Sequence, residues 1–453
     1  MKIVLVGAGK TGIAILDQLE KEKHDITVVD VNEGALVTCG QVYDVMTVVG
    51  NAMEIEVLKN AGVPDADLMI ATTLSDESNL LICLLAKKLG VNNTIARVRN
   101  PDLSEEMNLI KEELGLGMYF NPEYDTAMEI ARVLRIPSAM KADTFAKGRL
   151  EFLKIQLAAD SQLAGKTLME IGKMNHNVLV CGVERGEDEL FIPNGSFRLQ
   201  AGDRIRILAK PKEIHSFFRK MKITSGKINN IMILGGTRIT VYLTRMIQAL
   251  GGSITIIDPD PEVCESLSEE FPKNVSVILG DFTDHSLLLE EGIENADAVL
   301  TLTGYDEENI LLSLYASKVS KGKVITKVTR NGFGNIVSSL DLNSVYYPPR
   351  IAATEVSRYV RGLQNTMGSD IETMYQIMEG RAEALEFAVH PGSKACHIPI
   401  KDLKIRKNIL IGSINRRGQI ITPRGDDTIE PYDTVVVVTT NTGLSSFDDI
   451  LER

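Results

Sequence analysis

The first twelve residues, Met1 to Gly12, read MKIVLVGAGKTG, an apolar run that passes directly into a Gly-x-Gly-x-x-Gly motif. Apolar residues follow at helical spacing at Ile13, Leu16 and Leu19. The motif therefore lies between a predicted strand and a predicted helix, which is the context of a Rossmann-type βαβ unit. This stretch predicts an α/β domain that binds a nucleotide at the loop.

Each glycine of the loop has its own predicted task. Gly7 permits the tight turn, Gly9 lets the backbone approach a pyrophosphate, and Gly12 lets the helix pack on the strand. Asp30 ends the next predicted strand, 18 residues after Gly12. An aspartate there accepts hydrogen bonds from ribose hydroxyls and repels a 2′-phosphate, which favours NAD(H) or an adenosine nucleotide over NADP(H). The alternative is a cluster of turn glycines followed by a helix-capping Asp.

The second half of the chain repeats the first. Gly7 aligns with Gly235 and Asp30 with Asp258, both at an offset of 228 residues, and later matches continue at an offset of 230. After each α/β part comes a strand-rich segment with a Pro-x-Gly turn, at 193–195 and 423–425. The predicted fold class is α/β, with two tandem Rossmann-like, doubly wound parallel-sheet domains, each followed by a small β-rich α+β domain.

The repeat sets the predicted domain boundaries. The nucleotide-binding domains span 1–120 and 228–346, and the small β-rich domains span 140–222 and 371–453. Polar, turn-prone stretches mark the joins at Pro137 to Gly148, Arg219 to Asn230 and Gly362 to Ile371.

Further candidate ligand contacts lie at the carboxyl ends of the predicted parallel strands, where ligands bind in such sheets. Thr72, Thr73 and Leu74 follow the strand 68–71, and Arg97 lies on the predicted strand 94–99, where a guanidinium can pair with phosphate. A surface salt bridge is the alternative for Arg97, and also for Arg99 on the same predicted strand face.

Four more polar residues lie close to this edge. Asn51 is a candidate contact to the adenine edge, whereas Asp76, Glu77 and Asn79 are expected to cap the next helix.

The loop of the second copy departs from the pattern. It reads Gly235-Gly236-Thr237-Arg238-Ile239-Thr240, so Thr237 and Thr240 replace the second and third glycines while Asp258 is kept. Close approach of a pyrophosphate and helix packing are both in doubt here, although Arg238 offers charge to a phosphate. This site is expected to bind a nucleotide weakly, to bind a different one, or to be vestigial.

Composition limits the class of protein. The 453 residues exceed one typical core, and the net charge of −12 opposes binding to nucleic acid. The longest apolar runs are far shorter than the ~18 residues of a membrane-spanning helix. Five dispersed cysteines without a CxxC pair, and a strand that begins right after Met1, predict a cytoplasmic protein without disulfides, zinc or a signal peptide.

No catalytic constellation is evident. The six histidines form no metal-ligand pair at helical spacing, and no Ser/His/Asp or Cys/His arrangement stands out. Sensing is favoured over turnover, with no catalytic residues and no metal. The alternatives are a soluble NAD-dependent oxidoreductase and a purely structural assembly module.

These features resemble the RCK-type (KTN) regulatory subunits of prokaryotic potassium transport systems, in particular the tandem subunit of the Trk uptake system. The resemblance covers essentially the whole chain. It rests on the opening strand with GAGKTG, on Asp30, and on the segments 62–67, 73–79 and 95–99.

The resemblance implies a cytoplasmic ring, peripheral at the inner face of the membrane, that gates an integral membrane potassium-translocating subunit. It implies homo-oligomers, with four chains giving eight modules. NAD(H) is expected at the first site, with ATP or ADP possible at either. The implied contacts in the first copy are Gly7, Ala8, Gly9, Lys10, Thr11, Gly12, Asp30, Asn51, Thr73, Leu74 and Arg97. Those in the second copy are Gly235, Gly236, Thr237, Arg238, Ile239 and Asp258.

The family also pairs modules through a helix that follows each α/β domain. Here the helices would be Pro122 to Arg135 and Pro348 to Arg361. Their apolar stripes comprise Ala127, Ile130, Ala131 and Leu134 in the first and Ala352, Val356, Tyr359 and Val360 in the second. Packing of each stripe on its own domain is the alternative.

Overall fold

The computed structural model describes residues 1–135, 141–145, 149–173, 177–186, 189–221, 228–340, 342, 344–365, 371–377, 381–441 and 443–452. The chain divides into two compact units. One contains residues 1–135 and 228–357, and the other contains 136–227 and 358–453. The α/β parts of both copies thus form one unit and the small domains the other. Within the described ranges no helix is long and apolar enough to cross a bilayer.

The first α/β domain is a six-stranded parallel sheet in the order β3-β2-β1-β4-β5-β6. Its strands are β1 Lys2–Val6, β2 Asp25–Asp30, β3 Met46–Val49, β4 Leu68–Ala71, β5 Asn93–Arg97 and β6 Met118–Phe120. Its helices are α1 Lys10–Glu20, α2 Glu33–Val42, α3 Ile55–Asn60, α4 Asp76–Lys88, α5 Pro101–Ile110 and α6 Pro122–Arg135. Strands β1 and β4 are almost wholly buried, as expected for continuous apolar runs covered by helices on both faces. The order reverses between β1 and β4, which opens a crevice at their carboxyl ends.

The second α/β domain has the same topology, β14-β13-β12-β15-β16-β17. Its strands are β12 Asn230–Leu234, β13 Ser253–Asp258, β14 Val275–Leu279, β15 Ala298–Thr301, β16 Lys323–Lys327 and β17 Val345–Tyr346. Its helices are α9 Arg238–Ile247, α10 Pro261–Glu270, α11 His285–Glu290, α12 Asp306–Val319, α13 Gly334–Ser339 and α14 Pro348–Asn365. The predicted duplication of a doubly wound parallel sheet is confirmed.

The helix that follows each sheet connects the two copies. Helix α6 begins and ends at the predicted residues and packs against α9 of the second copy. Asn121 donates from Nδ2 to the hydroxyl of Tyr242 at 2.8 Å, and the ring of Tyr124 meets that of Tyr242 edge-on. On the other side Ser357 of α14 donates to Glu22 at 2.6 Å. Pairing between copies, rather than packing on its own domain alone, is therefore the role of α6.

Each small domain is a five-stranded antiparallel sheet. The first has the order β10-β9-β11-β8-β7, with β7 Lys141–Phe145, β8 Leu150–Gln156, β9 Val178–Arg185, β10 Glu189–Phe191, β11 Arg204–Ala209, and helices α7 Leu168–Lys173 and α8 Pro211–Lys220. The second has the order β18-β19-β22-β20-β21, with β18 Ile371–Ile377, β19 Ala382–Ala388, β20 Ile409–Arg416, β21 Gln419–Ile421 and β22 Thr434–Thr439. In both, an aspartate in the loop before the last strand forms a bidentate pair with an arginine at the end of an earlier strand, Asp203 with Arg185 and Asp433 with Arg416, with a shortest distance of 2.8 Å in each.

The predicted joins are partly wrong. Residues 141–145 form strand β7, which pairs with β8, so the segment Pro137 to Gly148 is not simply a linker. Helix α14 continues to Asn365, past the predicted join at Gly362. Within the three predicted joins, residues 137–140, 146–148, 222–227 and 366–370 lie outside the described residues.

Candidate functional site

The three glycines of the first loop differ in how strictly the surrounding atoms exclude a side chain. Gly7 has φ +101°, and a Cβ there would meet the backbone of Thr72 at 2.9 Å. A Cβ on Gly12 would overlap the carbonyl oxygen of Gly7. A Cβ on Gly9 would meet no atom within 4 Å. The fold of the first copy thus requires Gly7 and Gly12, whereas Gly9 faces open space.

Helix α1 begins at this loop without a side-chain cap. Gly9 is its N-cap, and the first turn carries no carboxylate. The neighbouring helices α2 and α4 begin instead with capping side chains, from Asn32 and Ser75. The N-terminal amides and positive end of α1 are therefore directed at the loop without a carboxylate in the helix's own first turn, which suits an anion.

Asp30 fixes the loop from the neighbouring strand. Its Oδ2 accepts a hydrogen bond from the backbone N–H of Ala8 at 2.6 Å, and its Oδ1 accepts from the N–H of Asn32 at 2.8 Å. A carboxylate has about four lone-pair positions, so acceptor capacity for ribose hydroxyls remains. Asp30 therefore orders the loop in addition to its predicted contact with ribose, and it is not a helix cap.

Arg97 is buried at the end of β5, beneath the same loop. It donates to the carbonyl oxygen of Thr73 and, at 3.4 Å, to the hydroxyl of Thr11. Its Nε is buried without a hydrogen-bond partner. Burial, together with the positive charges of Arg99 and Arg238, lowers the pKa of Arg97 to about 10, although the carboxylates of Glu123 and Asp76 act in the opposite direction.

The surface salt bridge considered for Arg97 is wrong, because within the described part of the chain its guanidinium forms no ion pair. A buried cation without an anionic partner is costly. An anionic ligand in the crevice would supply that partner.

The predicted strand 94–99 ends two residues early, at Arg97. Asp76 causes the change, since its Oδ2 accepts from the N–H groups of both Arg99 and Asn100 at 2.8 Å and so turns the chain away. Arg99 lies beyond the strand, 3.7 Å from Glu123.

The capping roles expected at the start of α4 are also wrong. Ser75 is the N-cap. Asn79 instead accepts from the N–H of Thr73 at 2.7 Å and donates to the carbonyl of Arg97 at 2.9 Å, which ties two strand ends together. Asn309 does the same in the second copy, with Thr303 and Lys327.

The other predicted contacts differ in accessibility. Leu74 is 85% exposed at the crevice edge. Asn51 is exposed and uses its Oδ1 to accept from the N–H of Met53 at 3.1 Å. The side chains of Ala8 and Ile239 are buried.

The second loop keeps the framework of the first. Gly235 has φ +105°, and Asp258 accepts from the N–H of Gly236 at 2.6 Å, as Asp30 does from Ala8. Helix α9 also begins without a side-chain cap, at Thr237.

Added side chains fill the second loop. The hydroxyl of Thr237 donates to the carbonyl of Leu302 at 3.1 Å, and that of Thr240 donates to the carbonyl of Gly235 at 2.5 Å. Thr240 thus occupies the position of Gly12, and its hydroxyl bonds to the carbonyl oxygen equivalent to the one that a Cβ on Gly12 would overlap. Thr237 places a side chain where Gly9 leaves open space.

The two loops lie in one unit and influence each other. Lys10 of the first loop donates to the hydroxyl of Thr329 in the second copy at 2.9 Å, and Thr329 in turn donates to Asp306 at 2.9 Å. Lys327 occupies the position of Arg97, and burial, together with the charge of Lys10, lowers its pKa to about 8. Arg238 of the second loop is, after burial and Arg99, among the causes that lower the pKa of Arg97.

Sequence reasoning missed the cross-copy residues Thr329 and Lys327. The repeat itself held one signal, since Lys327 is Arg97 displaced by the offset of 230. Contacts between copies leave no comparable trace in a single sequence.

Comparison with known proteins relates this chain to a family. The model of the TrkA-N domain matches residues 3–118 and 231–348, and that of the TrkA-C domain matches 153–222 and 384–452. A relative from Archaeoglobus fulgidus, "Trk system potassium uptake protein TrkA homolog", is 32% identical over 437 residues, 96% of this chain and 97% of the relative. TrkA of Haemophilus influenzae is 28% identical over 96% of this chain and 95% of its own length.

Solved structures share the fold at low identity. The GsuK channel bound to NAD superposes with a TM-score of 0.63 at 18% identity, covering 97% of this chain and 77% of that one. GsuK bound to ADP gives a TM-score of 0.50 at 16% identity, over 80% and 69% of the two chains. The curated relatives are named for potassium uptake and not for a catalytic activity, in agreement with the prediction that the chain is not an enzyme. The two TrkA-N and two TrkA-C matches, together with relatives aligned over almost the entire length, show that this chain belongs to the TrkA family.

Proposed function

We propose that this protein is the nucleotide-sensing regulatory subunit of a Trk-type potassium transporter, and that NAD(H) binds at the loop of the first copy. The observation that carries the proposal is Arg97, a buried cation that forms no ion pair with any described residue, set beneath an uncapped helix N-terminus and the open face of Gly9. A pyrophosphate satisfies all three, because it supplies negative charge and acceptor oxygens to arginine and backbone amides.

The remaining contacts follow from the same pose. Asp30 accepts from the ribose hydroxyls, Asn51 lies at the adenine side beyond β3, and the amides of Gly9 to Thr11 hold the phosphates. Thr73 and Leu74 border the crevice on the β4 side. The NAD bound by the structurally similar GsuK channel supports this class of ligand.

The second site is a weaker or different one. Thr237 and Thr240 fill the loop and Lys327 replaces a guanidinium with a point charge, so a dinucleotide loses contacts made in the first copy. A mononucleotide such as ATP or ADP needs less of the loop, and Gly235, Gly236, Arg238, Ile239 and Asp258 remain as its contacts. The ADP bound by GsuK supports this second ligand class.

Occupancy of the first site is coupled to the arrangement of the copies. Lys10 extends from the first loop to Thr329, and Arg238 from the second loop acts on Arg97. A phosphate at Arg97 therefore changes charges shared by both copies. Such coupling is typically worth about 1–3 kcal/mol, enough to shift a ring between two states.

The proposed assembly is a homotetrameric ring at the inner face of the membrane, attached to the integral potassium-translocating subunit. Equivalent exposed leucines on α4 and α12, Leu81 and Leu311, offer a repeated apolar contact between neighbouring modules. The domains 1–120, 140–222, 228–346 and 371–453 are the proposed modules of this ring.

The proposal is tested by potassium flux into proteoliposomes that contain the membrane subunit. With wild-type protein added, NADH should change the flux, whereas Asp30→Ala should bind the subunit but respond to NADH only weakly. Asp258→Ala, the matched variant of the second copy, should keep the NADH response. A flux that ignores every nucleotide would contradict sensing, and steady consumption of NADH with a carbonyl compound would support the oxidoreductase alternative.

A further inference from the structure

The outer edge of the first α/β sheet carries large exposed apolar side chains. Val37 and Val42 lie on α2, Met46 and Val49 on β3, and Ile55 at the start of α3, each with 47% to 65% of its surface exposed. Helix α2 packs on β3, and β3 is the outermost strand of its sheet, so these residues belong to one margin of the domain. We call them the edge patch. Val31 and Met53 are also exposed but follow the ends of β2 and β3, at the proposed nucleotide crevice.

The second copy lacks this patch. Four of the five equivalent positions are polar or charged in the second copy. Val37, Val42, Met46 and Ile55 correspond to Glu265, Glu270, Ser276 and His285, in that order. Only the position of Val49 stays apolar, as Leu279. The strands and helices beneath are the same in both copies. Folding therefore does not require apolar side chains at these positions, because the second copy folds with acidic and polar ones.

The charges around the edge patch are acidic. Glu33, Asp44, Glu54 and Glu56 are all exposed between residues 31 and 60, and the exposed cation of this stretch, Lys59, is paired with Glu56 at 2.8 Å. An acidic surface is repelled by the anionic lipids of the inner leaflet. A two-fold contact of the patch with a second copy would oppose carboxylates to carboxylates.

Cytoplasmic segments of integral membrane proteins have the complementary chemistry. They carry an excess of lysine and arginine close to apolar membrane-spanning helices. We propose that the edge patch of the first copy docks a basic cytoplasmic segment of the potassium-translocating membrane subunit. The inference rests on the proposed function and adds to it the surface by which the chain would be held.

The asymmetry also fixes a geometric consequence. Because only one α/β domain in each chain carries the patch, alternate modules of a ring would contact the membrane subunit, and the others would not. A ring of eight modules would then present half as many docking surfaces as modules.

The test compares binding of the full-length chain to the membrane subunit in lipid nanodiscs by biolayer interferometry. The triple variant Val37→Glu, Val42→Glu, Met46→Ser introduces the residues that the second copy carries at these positions. Ser266→Glu with Ser276→Glu is the matched control, since it adds the same two charges at the equivalent edge of the second copy. The triple variant should bind at least about tenfold more weakly, as expected when the centre of an apolar contact becomes charged, and the control should bind like wild type.

NADH affinity and oligomer size by light scattering show whether the triple variant remains folded and assembled. If it does not fold, Met46→Ser with Val42→Ser replaces it and is judged in the same way. Binding of the variant equal to that of wild type would overturn the proposal. So would a change of oligomer size, which would make the patch a contact between copies, or equal binding to nanodiscs of anionic lipid without the subunit. Failure of the wild-type chain to bind the subunit is a separate result, because it would refute the proposed function before any variant is compared.

Discussion

The phosphate loops of the two copies begin alike and then differ in what occupies them. Gly7 and Gly235 adopt the same positive φ, and Asp30 and Asp258 accept from the same loop amide. In the first copy the crevice contains a buried guanidinium and open space at Gly9. In the second it contains hydroxyls that already bond to carbonyl oxygens. The difference teaches that the fold of the loop depends on the glycine turn and the aspartate, whereas ligand binding depends on the open space beside the loop, which the first copy keeps at Gly9.

The largest effect should come from Gly12→Ala. A Cβ at this position overlaps the carbonyl oxygen of Gly7, so α1 must move away from β1. Overpacking of this kind costs typically about 1–3 kcal/mol and displaces the amides that bind phosphate. We expect NADH binding to be lost and the urea midpoint to fall. Thr240→Gly in the second copy should leave NADH binding intact, and a Gly12→Ala protein that binds NADH normally would show that the loop is not the site.

Arg97→Met should weaken NADH binding by about tenfold to hundredfold, because a charge-assisted hydrogen bond is worth about 1.5–3 kcal/mol. The same change should stabilise the ligand-free protein, since it removes a buried charge that forms no ion pair among the described residues. Calorimetric titration and thermal unfolding of the ligand-free protein measure the two effects. Lys327→Met is the matched variant and should alter NADH affinity much less. A loss of both affinity and stability in Arg97→Met would make Arg97 a structural residue.

The first copy could be predicted from sequence to a large extent because its determinants are local. A strand, three glycines, a helix and Asp30 lie within thirty residues, and the repeat tests the strand, Gly7, the helix and Asp30 a second time. The end of β5 at Arg97, the strand 141–145 and the role of Asn79 could not be predicted, because each depends on a partner distant in sequence. The contact of Lys10 with Thr329 joins residues 319 apart, and no periodicity encodes it.

The pH dependence of the free energy of unfolding should report the titration of the buried Lys327. Burial lowers the pKa of Lys327 to about 8, with Asp306, Glu123 and Lys10 as the neighbouring charges. Above pH 8 the folded chain has released a proton that the unfolded chain still holds. The contribution of Lys327 to the free energy of unfolding therefore rises with pH, until the pH reaches the pKa of a lysine in the unfolded chain. The rise should be about 1 kcal/mol between pH 8 and pH 9.

Urea midpoints at these two pH values, compared between parent and Lys327→Met, measure this contribution. Lys327→Met should lose about 1 kcal/mol of the rise, whereas Lys323, whose pKa burial also lowers to about 8, should keep its own contribution. Lys273→Met, which removes an exposed lysine, should keep the whole rise. An identical pH profile in Lys327→Met and the parent would place the titrating group elsewhere.

The smallest effect should come from Lys10→Ala. Its hydrogen bond to Thr329 is exposed, and such a bond contributes about 0.5 kcal/mol. We expect a slight loss of stability and little change in NADH affinity, but a reduced response of the second site to occupancy of the first. Titration of ADP with and without saturating NADH measures that response. An unchanged response would show that the coupling does not pass through Lys10.

The central claim is that two copies of one fold provide one dinucleotide site, and the number of NADH molecules bound per chain tests it most directly. Native mass spectrometry and calorimetry should agree on one tightly bound NADH per chain, lost in Asp30→Ala and retained in Asp258→Ala. Two equivalent NADH molecules per chain, or one that depends on Asp258 and not on Asp30, would contradict the account.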